Sequence, residues 1–163
     1  KYGCELHARV AGHVHGVPTT GFRFFNIYGP RQDPKSPYSG VISIFADRLA
    51  AGTTATIFGD GLQVRDFVYV ADCVKFVLAG MKRATTAADV FNVCTGKPTS
   101  LLDLVEALSA AGGRELQVRH GEARQGDIRE SIGNPSKLET AFGMQANTLL
   151  RDGLASTLGS PKA

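Results

Sequence analysis

Apolar residues recur every four positions at the start of the chain: Tyr2, Leu6, Val10 and Val14, with Gly16 as a stop. Positions four apart share one helix face, so this spacing predicts an amphipathic helix. The pattern then changes. Thr19 to Tyr28 is dense in β-branched and aromatic residues and predicts one buried strand. Val41, Ile44, Phe45 and Leu49 return to helical spacing and stop at Gly52. Ala55 to Phe58 predicts a short strand ahead of a Gly59-Asp60-Gly61 turn, and Phe67 to Val70 another. Asp72 reads as the N-cap of a helix running to about Met81. A strand follows from Val90 to Cys94. Thr99 or Ser100 then caps a helix from Leu101 to about Ala111, closed by Gly112-Gly113. Glu115 to His120 predicts a strand, Asn134-Pro135 the cap and first-turn proline of a helix to Phe142, and Asn147 to Leu158 a last helix. Strands alternating with helices mean an α/β fold.

Composition narrows the function classes. With 163 residues the chain is one ordinary domain or a piece of a larger one. It starts abruptly, without Met, inside a predicted helix, which is the pattern expected of a truncation. The net charge of +3 is mild and the basic residues are scattered, so a nucleic-acid partner is not expected. Cys4, Cys73 and Cys94 form no metal or CxxC spacing, and the reading is reduced thiols in a cytoplasmic protein. No apolar run approaches the roughly 20 residues of a membrane span. His7, His13 and His15 do not share a helix face, so no metal site is expected. Neither GxGxxG nor GxSxG occurs, and Gly96-Lys97 runs into Pro98 where a phosphate loop needs Ser or Thr.

Three places hold candidate chemistry. The predicted strand ends in Asn26, then Tyr28-Gly29-Pro30-Arg31-Gln32, so a buried run turns polar where ligands bind in open α/β sheets. Arg65 and Arg124 each lie beside an acid and near glycine. A guanidinium is a planar donor fork that suits phosphate oxygens. A plain Arg–Asp surface pair explains either site equally well at this level.

Several segments together carry a resemblance. They are Lys1-Tyr2-Gly3-Cys4-Glu5, Arg23-Phe24-Phe25-Asn26-Ile27-Tyr28-Gly29-Pro30-Arg31, Tyr38-Ser39-Gly40-Val41-Ile42, Ile57-Phe58-Gly59-Asp60-Gly61, Arg65-Asp66-Phe67-Val68-Tyr69-Val70, Phe91-Asn92-Val93 and Arg124-Gln125-Gly126-Asp127. In this order and spacing, over nearly the whole chain, they resemble the extended short-chain dehydrogenase/reductase family, and within it the UDP-sugar 4-epimerases. The resemblance implies the C-terminal part of an extended Rossmann-type fold plus a smaller nucleotide-sugar lobe. Residues 1–30 would be the last helix and strand of the NAD-binding unit. Residues 31–163 would be mainly the substrate lobe, with about 66–96 returning to the Rossmann sheet.

The resemblance also implies roles. Lys1 matches the Lys of a Tyr-x-x-x-Lys pair whose Tyr would precede this sequence by four residues, as would the glycine-rich NAD loop further upstream. Lys1 would hold the nicotinamide ribose and lower the pKa of that Tyr, the general base. Phe24 and Phe25 would lie against the nicotinamide, with Phe24 standing where Tyr is frequent. Asn26 would donate to the substrate diphosphate. Gly40 and Val41 would meet the uracil edge, and Thr56 and Phe58 would frame its ring. Arg65 and Arg124 would clamp the diphosphate, and Asp127 would accept from the uridine ribose. Ser131, in place of a bulkier gate, would admit N-acetylhexosamine beside plain hexose. Cys94, Ser43 and Asn134 stand where the family commonly has Gly, Pro and Asp.

The expected function of the intact protein is therefore an isomerase, an NAD-dependent UDP-glucose/UDP-galactose 4-epimerase working through a 4-keto sugar and assembled as a homodimer through the first helix. The 163 residues alone are expected to be inactive. A dehydratase or decarboxylase of the same family, or a non-catalytic UDP-sugar-binding module, remain alternatives.

Overall fold

The computed structural model describes residues 1–159. The elements in chain order are α1 (Tyr2–His15), β1 (Thr20–Phe24), β2 (Asn26–Tyr28), α2 (Val41–Ala51), β3 (Ala55–Phe58), β4 (Val64–Arg65), β5 (Phe67–Tyr69) and α3 (Val70–Arg83). They continue with β6 (Asp89–Val93), β7 (Thr99–Ser100), α4 (Leu101–Gly112), β8 (Val118–Gly121), β9 (Glu130–Ser131), α5 (Ser136–Phe142) and α6 (Leu150–Leu158). The fold is α/β, with parallel pairs β1–β6, β2–β5 and β3–β8 and a short mixed ladder β7-β4-β9.

The expected single strand from Thr19 to Tyr28 is two strands. Phe25 is the break: its N–H donates to Val93 O, and the Ile27 N–H reaches back to Phe25 O. Before it the chain pairs with β6, and after it with β5. A run of aromatic residues does not record a change of pairing partner, so composition alone concealed the switch. Changes of strand order of this kind are where open α/β sheets collect ligands.

Two apolar clusters hold the fold. One joins Ile42, Phe45 and Leu49 of α2, Ile57 of β3, Leu104 and Leu108 of α4 and Leu154 of α6, with Tyr28 and Phe67 at its edge. The other joins Phe76 of α3, Val68, Phe91, Val93 and Leu138, with Phe22, Phe25 and Phe142 packed on it. Truncating a fully buried leucine in either costs about 2–5 kcal/mol.

Several boundaries move from their expected places. Asp72 is not an N-cap: β5 runs directly into α3, which Tyr69 caps, and Asp72 lies in the first turn with 1% exposure. Its carboxylate accepts instead from Lys75 Nζ at 2.9 Å and from the Thr148 N–H at 3.0 Å, tying α3 to the segment before α6. Val70 therefore belongs to the helix and not to the strand, and the helix continues two residues beyond Met81. The strand expected from Glu115 is later, at β8, and the last helix starts at Leu150 rather than Asn147. Ser100, not Thr99, caps α4. It forms a capping box in which the Asp103 N–H donates to Ser100 Oγ and the Ser100 N–H to the Asp103 carboxylate. α5 starts at Ser136 with Pro135 as its N-cap, one residue later than expected, and Asn134 Oδ1 accepts from the Ser136 N–H at 2.9 Å in the turn that leads in.

The α1 stripe is where the periodicity put it, but none of the described residues covers it. Tyr2, Leu6, Val10 and Val14 are 63%, 45%, 55% and 63% exposed. The opposite side of α1 is anchored by Glu5, which takes a two-pronged bond from Arg23 of β1, both contacts 2.7 Å. That bond draws the Glu5 carboxyl below its ordinary range and raises Arg23. Among the described residues no helix is long and apolar enough to cross a membrane.

Candidate functional site

β4 and β9 bring the first candidates together. In their parallel register Arg65 is the partner of Ser131. The Val64 N–H donates to Arg129 O and the Asp66 N–H to Ser131 O, which fixes the two segments side by side. The loop before β9 then folds over Arg65. Arg65 Nη2 donates to Asp127 Oδ1 at 2.8 Å, and Nη1 donates to the carbonyls of Ile128 at 2.6 Å and Val64 at 2.9 Å. The fork is thus held in one orientation before any ligand arrives. Its Nε–H and one Nη2–H remain for an anion.

β3 and β8 carry the second group. Thr56 is in register with Arg119, and Phe58 with Gly121. Arg119 Nε donates to Thr56 Oγ1 at 3.0 Å. Arg124 lies over the Phe58 ring, its guanidinium carbon 3.8 Å from the centroid. Gly121 lies close against both residues, since a Cβ there would stand 3.2 Å from Thr56 Cγ2 and 3.4 Å from Phe58 Cδ1. The turn after Phe58 needs its glycines: Gly59 and Gly61 both have φ of +80°. Asp60 of that turn holds Arg129, with contacts of 2.7 and 2.9 Å. The turn beside Phe58 is thereby tied to the strand bearing Ser131. Arg129 draws the Asp60 carboxyl below its usual range.

The remaining candidates sit on separate elements. Gly40 is the N-cap of α2, with extended backbone, and Val41 is its first residue. Lys1 precedes α1 and is exposed. Phe24 ends β1 and is 45% exposed. Phe25 follows at the pairing switch, half-buried on the second core. Asn26 starts β2, and its Nδ2 donates to Asp66 O at 3.3 Å.

Sequence reading gave no role to Asp66. It is 0% exposed, and its carboxylate gathers four hydrogen bonds. Oδ1 accepts from the Thr95 N–H at 2.8 Å and from Thr95 Oγ1 at 2.7 Å, and Oδ2 from the N–H groups of Gly96 at 2.8 Å and Gly133 at 3.3 Å. It lies within the Arg65-Asp66-Phe67-Val68-Tyr69-Val70 segment that carries the resemblance, but an acid beside an Arg reads first as its ion-pair partner. Asp66 stands between β4 and β5, and the two side chains take different partners: Arg65 bonds Asp127 and Ile128 O, and Asp66 bonds Thr95, Gly96 and Gly133.

Three buried groups lie apart from these candidates. Burial pushes the Tyr28 phenol well above its ordinary value, and its Oη donates to Leu150 O. Burial pushes the thiols of Cys73 and Cys94 up to about 12, with Asp72 and Asp66 respectively adding to it. No cluster of metal-ligating side chains occurs among the described residues.

A family model described as the NAD dependent epimerase/dehydratase family matches residues 1–94. A UDP-glucose 4-epimerase of Mycolicibacterium smegmatis is 40% identical over 97% of this chain and 50% of its own length. The crystal structure of a UDP-glucose 4-epimerase from Thermotoga maritima, with UDP-glucose, superposes with a TM-score of 0.90 at 35% identity. It covers 97% of this chain and 50% of that one. A UDP-N-acetylglucosamine 4-epimerase from Methanobrevibacter ruminantium M1, in complex with UDP-N-acetylmuramic acid, gives 0.89 at 30% identity, covering 96% and 50%. The chain spans about half the length of the curated relatives it matches.

Proposed function

The chain belongs to the NAD dependent epimerase/dehydratase family, and from that premise we propose that it carries the nucleotide-sugar side of a UDP-hexose 4-epimerase. The observation that supports this most is the held fork of Arg65, aimed by Asp127 and Ile128 O and in register with Ser131. A diphosphate is the ligand such a preset planar donor suits. Arg124, over Phe58, is the second phosphate ligand, and the Phe58 ring with Thr56 receives the base. Gly40 and Val41 meet the base edge, Asn26 faces the diphosphate, and Asp127 accepts from the ribose.

The cofactor side fits in part. The Glu5–Arg23 bond holds the first turn of α1 against the end of β1, so Lys1 and the exposed Phe24 ring open at the same end of the sheet. An ammonium and an open aromatic ring, backed by Phe25, suit the ribose and nicotinamide end of NAD. No glycine-rich phosphate loop between a strand and a helix is found in this sequence, so these residues hold that end only. Bound NAD supplies a reversible hydride acceptor for C4 of the sugar.

This chain's own part is division of binding. The nucleotide is gripped by two guanidinium groups, while the sugar meets small side chains such as Ser131 and is free to turn. Ser131 leaves room for an N-acetyl group, a discrimination of about 1–3 kcal/mol. Residues 1–30 and about 66–96 form the cofactor layer in this reading and the rest the nucleotide-sugar lobe, although Tyr28 and Phe67 pack into the first core and Leu138 into the second, so the two layers share their cores. The experiment is titration calorimetry of UDP against the 163-residue chain and its Arg65→Ala and Arg124→Ala variants. Equal affinity in all three would defeat the reading. The 163-residue chain assayed by itself is expected to bind UDP-glucose without converting it.

A further inference from the structure

We propose that Asp66 is a positioning residue for the nucleotide-sugar site, acting through its buried carboxylate without touching the ligand. This rests on the reading of Arg65, Asn26 and Ser131 given above.

A fully buried carboxylate is costly unless it is paired or well hydrogen-bonded. Asp66 has no ion-pair partner among the described residues. It has four donors instead, about the full accepting capacity of a carboxylate. The donors come from two segments that the chain brings in from far apart. Thr95 and Gly96 form the turn leaving β6, and Gly133 is two residues past Ser131. The backbone of Asp66 adds two more ties. Its N–H donates to Ser131 O, and its O accepts both the N–H and Nδ2 of Asn26. One residue therefore sets the β2 start, the end of β6 and the exit of β9 against each other, at the point where the chain changes strand partner.

Gly133 extends this to the cofactor side. A Cβ there would meet Cys94 Sγ and would come within 2.7 Å of Phe25 Cζ. The Gly133 amide reaches the carboxylate because nothing stands between Phe25 and Cys94 at that spot. The Asp66 carboxylate is thus bonded to the backbone that packs on Phe25, while Arg65, one residue earlier, is bonded to Asp127 and Ile128 O. Placing a phosphate ligand within a few tenths of an ångström needs such a supporting layer, because misplacement far smaller than a bond length already weakens a charged hydrogen bond.

Asp66→Asn keeps the shape but turns an NH2 toward amides that are themselves donors. Thr95→Val removes only the hydroxyl, which donates to Asp66 and accepts from the Lys97 N–H. Leu108→Ala, a fully buried α4 residue in the other core, serves as the comparison for plain destabilisation. UDP affinity is measured for each full chain at a temperature where it is folded. Alongside it, the side-chain guanidinium NMR signals of Arg65 are recorded without ligand. We expect UDP affinity to fall about tenfold or more in Asp66→Asn and about threefold in Thr95→Val, roughly 1.4 and 0.6 kcal/mol. Leu108→Ala should stay within twofold, and the Arg65 signals should shift in the first two variants only. Affinity that tracks melting temperature equally in all three overturns the proposal. If Asp66→Asn does not fold, Thr95→Val against Leu108→Ala decides. If the unmodified chain binds no UDP, the site reading fails by itself. Asp66 is then judged on the ligand-free Arg65 signals, and unchanged signals in Thr95→Val overturn it.

Discussion

Arg65 and Asp127 are 62 positions apart in sequence and meet through Nη2 and Oδ1 at 2.8 Å. The pair is partly shielded, with side chains 17% and 36% exposed. The same guanidinium also caps two carbonyls, so three of its five N–H groups are already directed by the protein. An ammonium cannot reproduce that fork. We therefore expect Arg65→Lys to weaken UDP binding nearly as much as Arg65→Ala, by about tenfold or more. Calorimetry on both variants checks this. A lysine variant within threefold of the unmodified chain would show that only the charge matters.

Arg124 and a nucleotide base cannot share one face of Phe58, since the guanidinium carbon already lies 3.8 Å from its centroid. Arg124 must leave that face, or the base must use the other. A partly exposed cation–π contact is worth about 0.5–1 kcal/mol. If Arg124 leaves, Arg124→Ala removes a competitor for the ring and a ligand for the phosphates at once. Uridine, without phosphate, should then bind two- to fivefold more tightly to Arg124→Ala, while UDP binds more weakly. A parallel loss for both ligands would mean that Arg124 stays on Phe58 and that the base stacks elsewhere.

How much of this was legible beforehand follows from the kind of signal each feature leaves. α1, α2 and α4 were visible because apolar spacing and terminal glycines are local, and Gly16, Gly52 and Gly113 do take left-handed C-cap conformations. The split at Phe25 was not, because a change of strand partner depends on β5 and β6, some 40 to 70 residues away. Asp72 was misread for a related reason: a helix entered directly from a strand leaves its first-turn acid facing a distant amide, Thr148. Arg65 and Asp127 were each recognisable as candidates by resemblance, but their pairing was not, nor was the stack of Arg124 on Phe58. Asp66 lay in a segment that carried the resemblance, but its role was hidden, since its partners are mostly backbone amides, which every residue supplies.

The three cysteines should separate cleanly. Cys4 is exposed, whereas Cys73 and Cys94 are buried and their thiols pushed up to about 12. The thiolate is the reacting species, so burial and a raised thiol pKa both protect Cys73 and Cys94, while Cys4 is open to solvent. One thiol per folded chain should react with a maleimide, and three after unfolding, as intact mass would show. A second adduct on the folded chain would mean that α3 or the turn after β6 opens readily.

Asp72 sets an acid limit on stability. Burial raises its carboxyl, but the hydrogen bonds from Lys75 Nζ and the Thr148 N–H outweigh this, and the folded value lies below the ordinary one. A depressed folded pKa stabilises above the unfolded value, about 3.9, and the contribution is lost as pH falls through the folded value. Asp72→Asn should therefore be less stable than the unmodified chain near pH 7, by about 1–3 kcal/mol. The gap should narrow below about pH 4. Urea titrations across that range measure it. A gap that is the same at both ends would assign the loss to packing rather than charge.

The bare stripe of α1 leads to the last expectation. Tyr2, Leu6, Val10 and Val14 form one ladder along the helix, each close to or above half exposure. The Glu5–Arg23 bond fixes the other side of α1 to β1, so the helix cannot roll to bury the stripe without breaking it. Apolar surface of this regularity favours docking of a second copy about a twofold axis, stripe on stripe. In sedimentation velocity the chain should associate as its concentration rises, and Val10→Glu should remove that association with little change in melting temperature, because Val10 supports no core. α3 also exposes Leu78 and Met81, at 57% and 74%, so Leu78→Glu is the needed comparison. Association abolished by Leu78→Glu and untouched by Val10→Glu would move the interface from α1 to α3.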